Sequence, residues 1–282
     1  MTLQAPVETI AALPHVLADM NYLVPMTGRP RNYTFDPPVG VPRSNTQHEA
    51  HRVPIHDARP IADRISLDAT GFALVKHGSA VRDFFDEEEV RRVYYPEVER
   101  ILKEATGAYR VHIFDHTTRR RVPGVEDRGG GPRQPVQRVH IDHTARSGPQ
   151  RVRDLLPDEA DELLKGRVQV INVWRPIKGP LLDSPLAVCD ATTVRADQLV
   201  PSDLVYPHRV GETYSVTFDP AHRWYYVPEM RRDEGLLLKI ADTRTDIPAR
   251  FMPHTSFTDP TTPPDAAPRE SIEIRSLVFH PA

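Results

Sequence analysis

The sequence predicts an α+β chain with helices in its first half and a β-sandwich or barrel in its second. Proline is abundant, at 29 of 282 residues against a usual share of roughly 5%, and it disfavours a bundle of long helices. Segment 86–106 carries apolar residues at helical spacing, and short strand-like segments dominate after residue 166. We expect residues 1–60 to form an irregular arm packed on the body and residues 61–282 to form a single domain.

Elements of the first half follow from turn and cap signals. Residues 71–75 form the first predicted strand. Asp86 is placed to cap a helix that Gly107 ends. Pro96 lies inside this helix and predicts a kink or a split, because proline lacks the N–H that continues a helical ladder.

Strands are expected to dominate from there to the end. Residues 109–113 alternate as in a strand, the basic run at 119–121 indicates a solvated loop, and residues 157–165 indicate a short helix. Residues 219–222 have the composition of a hairpin turn. The later strands are predicted at 168–174, 186–189, 214–218, 223–227, 236–240, 253–257 and 271–279.

Composition excludes several classes of protein. The net charge of −3 gives no electrostatic case for nucleic acid, and no stretch approaches the length of a membrane helix. The one cysteine, Cys189, forms no internal disulfide, and residues 1–20 lack the pattern of a secretory signal. We therefore expect a cytoplasmic protein without a nucleic-acid or membrane partner, whose oligomeric state, monomer or homodimer, stays open.

A histidine and a carboxylate two residues apart can bind one metal ion. His140 and Asp142 form the one His-x-Asp/Glu triplet of the chain, whereas 13 histidines and 39 acids predict about two by chance. Residues two positions apart on a strand project their side chains from the same face. The triplet closes a predicted strand that opens the β-rich half, which strengthens it as a candidate site.

A third ligand would complete a two-histidine, one-carboxylate face, which binds Fe(II) and leaves three positions open. His254 begins a short strand deep in the β region and is the favoured candidate. His208 and His222 lie in predicted loops or turns, and His280 lies two residues from the end of the chain. These three are the weaker alternatives.

Arg269 and Ser271 open the last predicted strand and lie on one face of it. A guanidinium and a hydroxyl so placed can grip a carboxylate. Arg275 has the same parity on the same strand and is the competitor. A surface arginine among acidic residues is the alternative interpretation.

The order of these residues resembles the Fe(II)/2-oxoglutarate-dependent oxygenases. The resemblance is closest to a hydroxylase/desaturase family that includes gibberellin desaturases and a protein of cephamycin 7-methoxylation, and it covers roughly residues 70–280. It rests on His140-x-Asp142, a distal His254, Arg269-x-Ser271 and the strings at 172–176, 222–226, 237–239, 253–257 and 269–275.

This resemblance implies a double-stranded β-helix (jelly-roll) core. It implies that His140, Asp142 and His254 bind Fe(II), and that Arg269 and Ser271 bind the distal carboxylate of 2-oxoglutarate. The gap between His254 and Arg269 is longer than in many such oxygenases, so Arg275 stays open as the anchor.

Asn172 is expected near the cosubstrate, because it shares a strand face with Trp174. A packed tryptophan beside a satisfied asparagine is an equal alternative. Residues considered as weaker substrate contacts are Trp174, Arg175, His208 and Tyr225.

The resulting hypothesis is an oxygenase that uses Fe(II), 2-oxoglutarate and dioxygen. It would hydroxylate or desaturate a small specialised-metabolism substrate at an unactivated C–H bond. The alternatives are a cupin-like metal dioxygenase without 2-oxoglutarate and a catalytically inactive helper or binding subunit. The sequence does not identify the substrate or choose between hydroxylation and desaturation.

Overall fold

Two facing β-sheets form most of the structure, which is a computed structural model describing residues 12–125 and 133–281. The larger sheet has nine strands in the order β1-β3-β11-β8-β13-β6-β10-β9-β2, and the smaller has five in the order β4-β12-β7-β14-β5. The strands are β1 His15–Leu23, β2 Arg31–Tyr33, β3 His48–Asp57, β4 Phe72–Lys76, β5 Arg110–Arg120, β6 His140–Ile141, β7 Val168–Pro176, β8 Leu186–Cys189, β9 Leu199–Val205, β10 Val210–Val216, β11 Trp224–Tyr226, β12 Glu234–Asp242, β13 His254–Ser256 and β14 Glu270–Phe279.

Helices are few and short. Asp86 caps the first of them, since its carboxylate accepts from the N–H groups of Glu88 and Glu89. Gly107 ends the same helical segment at φ 69°. The helices are α1 Glu87–Glu89, a π-helical turn Val90–Tyr94, α2 Tyr95–Thr106, α3 Ser147–Leu155 and α4 Ala160–Leu163, with 3-10 turns at Arg59–Ile61, Ala191–Thr193 and Ala196–Gln198.

Apolar side chains are buried between the two sheets and also on the outer face of each sheet. One cluster, including Ile141, Val188 and Leu238, lies between the sheets. A second joins α2 to the outer face of the five-stranded sheet, where Leu102 packs with Ile274. This two-sheet, mostly β architecture with few helices is consistent with a jelly roll.

The predicted irregular arm is wrong for residues 15–57. β1 pairs with β3 in antiparallel register along nine residues, and β3 pairs in parallel with β11. These strands therefore share a sheet with the later part of the chain. In β1 every second side chain, Ala18, Met20 and Tyr22, is buried, as expected for a strand. The many prolines of this region had pointed to irregular structure instead.

Two local predictions are also wrong. Residues 119 and 120 belong to β5, where they pair with β14, so the basic run is not a solvated loop. The turn at 219–222 does not close a hairpin, because β11 pairs with β3 and β8 instead of β10. No helix among residues 12–125 and 133–281 is long and apolar enough to cross a membrane.

Candidate active site

His140, Asp142 and His254 converge between the two sheets. β13 lies beside β6, and His254 is directly opposite His140 in the register. One nitrogen or oxygen atom from each of the three side chains lies within 4.8 Å of the others. The pairing of β6 and β13 therefore brings together, from distant parts of the chain, the three residues that the sequence suggested as metal ligands.

Backbone carbonyls orient both imidazole rings. Nδ1 of His140 donates to the carbonyl of Arg138 at 2.8 Å, and Nδ1 of His254 faces the carbonyl of Met252 at 3.4 Å. A carbonyl can only accept, so each ring carries its proton on Nδ1 and keeps the Nε2 lone pair free. A metal-binding histidine commonly donates its second nitrogen in this way.

Electrostatics favour the protonation states that a cation requires. Burial, reinforced by the nearby His254, lowers the pKa of His140. Burial alone would raise the pKa of Asp142, but the neighbouring side chains of His140 and, next, His254 outweigh it and hold that pKa well below its usual range. Neutral imidazole and ionised carboxylate are the ligand forms, so this donor set fits a divalent iron.

Arg269 is a buried cation whose side chain is held by neutral groups. Its Nε donates to Ser271 Oγ at 3.1 Å, and its Nη1 donates to the carbonyl of Ser184 at 2.8 Å and to Ser256 Oγ at 3.2 Å. Its guanidinium lies 5.0 Å from the ring centre of Trp174. Burial, reinforced by Arg119, lowers the pKa of Arg269 to about 9. Along the described chain, no carboxylate forms a salt bridge with this guanidinium.

Arg275 is paired instead. Its Nε donates to Asp115 Oδ1 at 2.6 Å, and its Nη2 donates to Thr117 Oγ1 at 2.9 Å. Burial would lower the pKa of Arg275, but the charges of Asp115, Glu273 and Asp142 raise it. Arg269 and Arg275 both border the same cavity, yet only Arg275 forms a salt bridge within the residues that the structure describes.

Arg119 also borders this cavity and was not predicted. It is opposite Ser271 in the register of β5 and β14, which places it beside the Arg269 guanidinium. The register shifts between Ile113 and Asp115, and this β-bulge changes which side chains of β5 face inward. No signal in the sequence pointed to this position, because residues 114–121 show no alternation of apolar and polar side chains.

Glu273 is the second carboxyl group of the cavity. Burial, reinforced by the negative charge of Asp142, raises the pKa of Glu273. Arg275, His254 and Arg119 act in the opposite direction. The sequence assigned no role to Glu273 beyond that of an acidic neighbour.

Asn172 and Trp174 share the inward face of β7, as their spacing predicted. Nδ2 of Asn172 donates to Asp142 Oδ2 at 2.9 Å, so this side chain contacts the carboxylate of the metal triad. Trp174 borders the cavity and lies under Arg269. Trp174 is therefore both buried and part of the cavity lining, and a contact of Asn172 with a cosubstrate stays a prediction.

Three weaker candidates are not part of the cavity lining. Arg175 points to the opposite face of β7, where its guanidinium lies 5.6 Å from the ring centres of Phe84 and Tyr94. Tyr225 is buried in the core, with its ring 5.7 Å from Phe72. His208 is exposed in the turn between β9 and β10.

The other two histidines considered as the third metal ligand, His222 and His280, make contacts elsewhere in the structure. His222 is buried away from the triad, with Nδ1 3.0 Å from Tyr22 Oη and Nε2 2.9 Å from Gln198 Oε1. His280 does not fray, since its Nε2 lies 2.8 Å from Gln169 Oε1.

Comparisons with known proteins agree on one family. Residues 20–279 match the model of the oxidoreductase/YMDC permease-like domain. The chain is 34% identical to the Fe(II)/2-oxoglutarate-dependent dioxygenase nvfI of Aspergillus novofumigatus, over 88% of this chain and 90% of that protein. It is also 34% identical to the hydroxylase/desaturase CTB9 of Cercospora beticola, over 88% of this chain and 85% of that protein.

Solved structures agree with these relatives. The iron and alpha-ketoglutarate-dependent endoperoxidase NvfI superposes with a TM-score of 0.86 at 30% identity, over 95% of this chain and 99% of that one. A tryptophan-to-phenylalanine variant of the same endoperoxidase gives a TM-score of 0.87 at 31% identity, over 95% and 98%. The chain therefore belongs to the family of Fe(II)/2-oxoglutarate-dependent oxygenases that contains these dioxygenase and hydroxylase/desaturase enzymes.

Proposed function

We propose that this enzyme holds Fe(II) on His140, Asp142 and His254 and holds the distal carboxylate of 2-oxoglutarate on Arg269 and Ser271. With dioxygen, it would hydroxylate or desaturate a small specialised-metabolism molecule at an unactivated C–H bond. The single observation that carries the proposal is the buried Arg269 guanidinium, which forms no salt bridge in the described residues and borders the same cavity as the metal triad.

An unpaired buried cation is costly, so its retention calls for an anion that binds there. Arg269 has a preformed hydrogen-bonding frame in Ser271, Ser256 and the Ser184 carbonyl, which fixes the guanidinium. Within the described residues these contacts leave Nη2 of the guanidinium to donate to a carboxylate that enters the cavity. Arg275 is the weaker candidate for this role because Asp115 already neutralises it.

Iron with its cosubstrate, when bound, supplies the oxidising chemistry that amino-acid side chains lack. The protein contributes placement. His140, Asp142 and His254 would supply three ligand atoms to the iron, which would leave positions for the cosubstrate and dioxygen. Arg269 orients the cosubstrate along the cavity, and Trp174 forms an apolar wall that limits the access of water.

The proposal also covers the type of fold, the domain organisation and the class of substrate. We infer that the two sheets form a double-stranded β-helix and that residues 61–282, together with the N-terminal strands of the larger sheet, make a single oxygenase domain. The small-molecule substrate is supported by the named relatives, and a cytoplasmic location stays a prediction. No oligomeric state is proposed.

An anaerobic titration tests the proposal. Purified apo-protein receives Fe(II) and then 2-oxoglutarate, and the weak visible charge-transfer band of the chelate is recorded. We expect the band in the wild type and its absence in His254→Ala. In Arg269→Leu the band should require roughly 100-fold more 2-oxoglutarate, because a buried charge-assisted contact is lost.

Arg275→Lys is the matched control, since it keeps a cation beside Asp115 and should leave the 2-oxoglutarate requirement close to that of the wild type. Iron binding without a band at saturating 2-oxoglutarate would reject the cosubstrate. A large effect in Arg275→Lys with none in Arg269→Leu would move the anchor to Arg275.

A further inference from the structure

Asn172 links the two sheets at the metal triad. It projects from β7 of the five-stranded sheet, and its Nδ2 donates to Asp142 Oδ2 at 2.9 Å, just beyond β6 of the nine-stranded sheet. Asn172 is fully buried, so water does not compete for this hydrogen bond. The contact is therefore a fixed part of the site.

The two oxygens of Asp142 have different surroundings. Oδ1 lies 3.5 Å from Nε2 of His140, the ring nitrogen that does not contact the Arg138 carbonyl. Oδ2 is occupied by the amide of Asn172. A carboxylate that is free to rotate can bind a cation through both oxygens, whereas one whose second oxygen accepts a hydrogen bond is restricted to the first.

The amide of Asn172 is otherwise poorly satisfied. Its Oδ1 is buried and has no hydrogen-bond partner within the described part of the chain. A buried acceptor without a partner destabilises a fold, and an apolar side chain of similar size at this position would avoid that cost. Neighbouring residues on β7 show the apolar solution, since Val170, Ile171 and Val173 are all buried and aliphatic. Packing alone therefore does not explain an asparagine here.

We propose that Asn172 is a positioning residue that restricts Asp142 to a single oxygen ligand and so preserves the adjacent open positions that a chelating cosubstrate needs. This inference rests on the proposed function, because it concerns the same iron site. It assigns to Asn172 an action through Asp142 in place of the direct cosubstrate contact that the sequence suggested.

The test uses Asn172→Leu, which keeps the side-chain volume, and Asn172→Ala, which adds no bulk and guards against failure of the leucine variant to fold. Ser276→Ala is the control, because Ser276 on the neighbouring strand β14 is also buried, and its hydroxyl has no partner among the described residues. Fe(II) affinity is measured first with the metal alone, under anaerobic conditions. At saturating Fe(II), the affinity for 2-oxoglutarate is then taken from the charge-transfer band.

We expect both Asn172 variants, at saturating Fe(II), to bind 2-oxoglutarate 10- to 100-fold more weakly, because Asp142 would be free to take a second position on the metal and the loss of a partner of a metal ligand usually has an effect of this size. Their bands should also be displaced in wavelength relative to the wild type, which a loss of stability alone would not produce. Ser276→Ala should match the wild type in both measurements. Wild-type affinity and an unshifted band in a folded Asn172 variant would overturn the inference, whereas absence of the band in the wild type would reject the proposed function itself.

Discussion

Two clusters of charged side chains, one around the buried Lys239 and one around the buried Arg269, are built in opposite ways. The closed cluster consists of Lys239, Asp242, Arg167 and Asp68. Lys239 is fully buried and forms ion pairs with Asp68 and, at 3.0 Å, with Asp242, while Arg167 reaches both carboxylates. Every member therefore has an opposite charge beside it.

The open cluster consists of Arg269, Arg119 and Glu273, which border the cavity with the metal triad. Neither arginine forms a salt bridge with a carboxylate in the described residues. A buried charge therefore has a different meaning in each cluster. Removal of one partner from a buried ion pair destabilises the fold, whereas a buried cation without such a partner, Arg269, indicates a site for an anion.

The largest effect is expected from Lys239→Met. The substitution leaves Asp242 buried with one cation fewer, and we expect the free energy of unfolding to fall by about 3 kcal/mol. Urea unfolding followed by circular dichroism measures the change.

Arg269→Leu is the matched variant from the open cluster. It leaves no acid of the described chain unpaired, and the Ser184 carbonyl keeps the hydrogen bond from Ser256 Oγ. Its free energy of unfolding, without ligands, should change by less than about 1 kcal/mol. Equal losses in the two variants would show that the clusters do not differ as described.

A smaller effect is expected from Arg119→Met. Removal of the second cation beside Arg269 weakens the positive potential at the carboxylate subsite, so the dissociation constant for 2-oxoglutarate should rise about tenfold. Anaerobic titration of the iron-loaded protein measures it. Arg120→Met is the control, because Arg120 is paired with Glu270 at 2.8 Å and does not border the cavity. An equal response of both variants would remove Arg119 from the site.

The smallest expected effect concerns acid stability of the closed cluster. Burial raises the pKa of Asp68, but Arg167 and Lys239 outweigh it and lower that pKa to about 2. A depressed pKa stabilises the fold above the ordinary value of 3.8, and this contribution is lost as the pH falls towards 2.

Asp68→Asn should therefore be less stable than the wild type at pH 7 and should lose less stability between pH 4 and 2. Thermal melts across this range test it. Asp36→Asn, at a site whose side chain is 95% exposed, should keep the wild-type slope. A wild-type slope in Asp68→Asn would contradict the assignment.

Sequence spacing was sufficient to predict features that depend only on residues close together in the chain. His140 and Asp142 lie two residues apart on one extended segment, so their common face follows from strand geometry. The cap at Asp86 and the stop at Gly107 are likewise local hydrogen-bonding and backbone preferences. A buried lysine needs a carboxylate partner, and Lys239 has two, Asp68 and Asp242.

Sequence spacing failed where strands meet partners far along the chain. β1 and β3 were mistaken for an irregular arm, because their stability depends on pairing with each other and with β11. Arg119 was mistaken for part of a solvated loop, because the bulge in β5 changes the parity that would have predicted its inward face.

The sequence by itself determined the residue types of the site, their order in the chain and the local faces of individual strands. Tertiary structure alone decided that Arg275 is neutralised by Asp115 while Arg269 faces the cavity without such a partner in the described chain, and that Asn172 contacts Asp142. The physical reason is that charge compensation and hydrogen bonding depend on neighbours across the sheets. Those neighbours are set by pairing between strands that are distant in the chain, as for Arg275 and Asp115, which lie 160 residues apart.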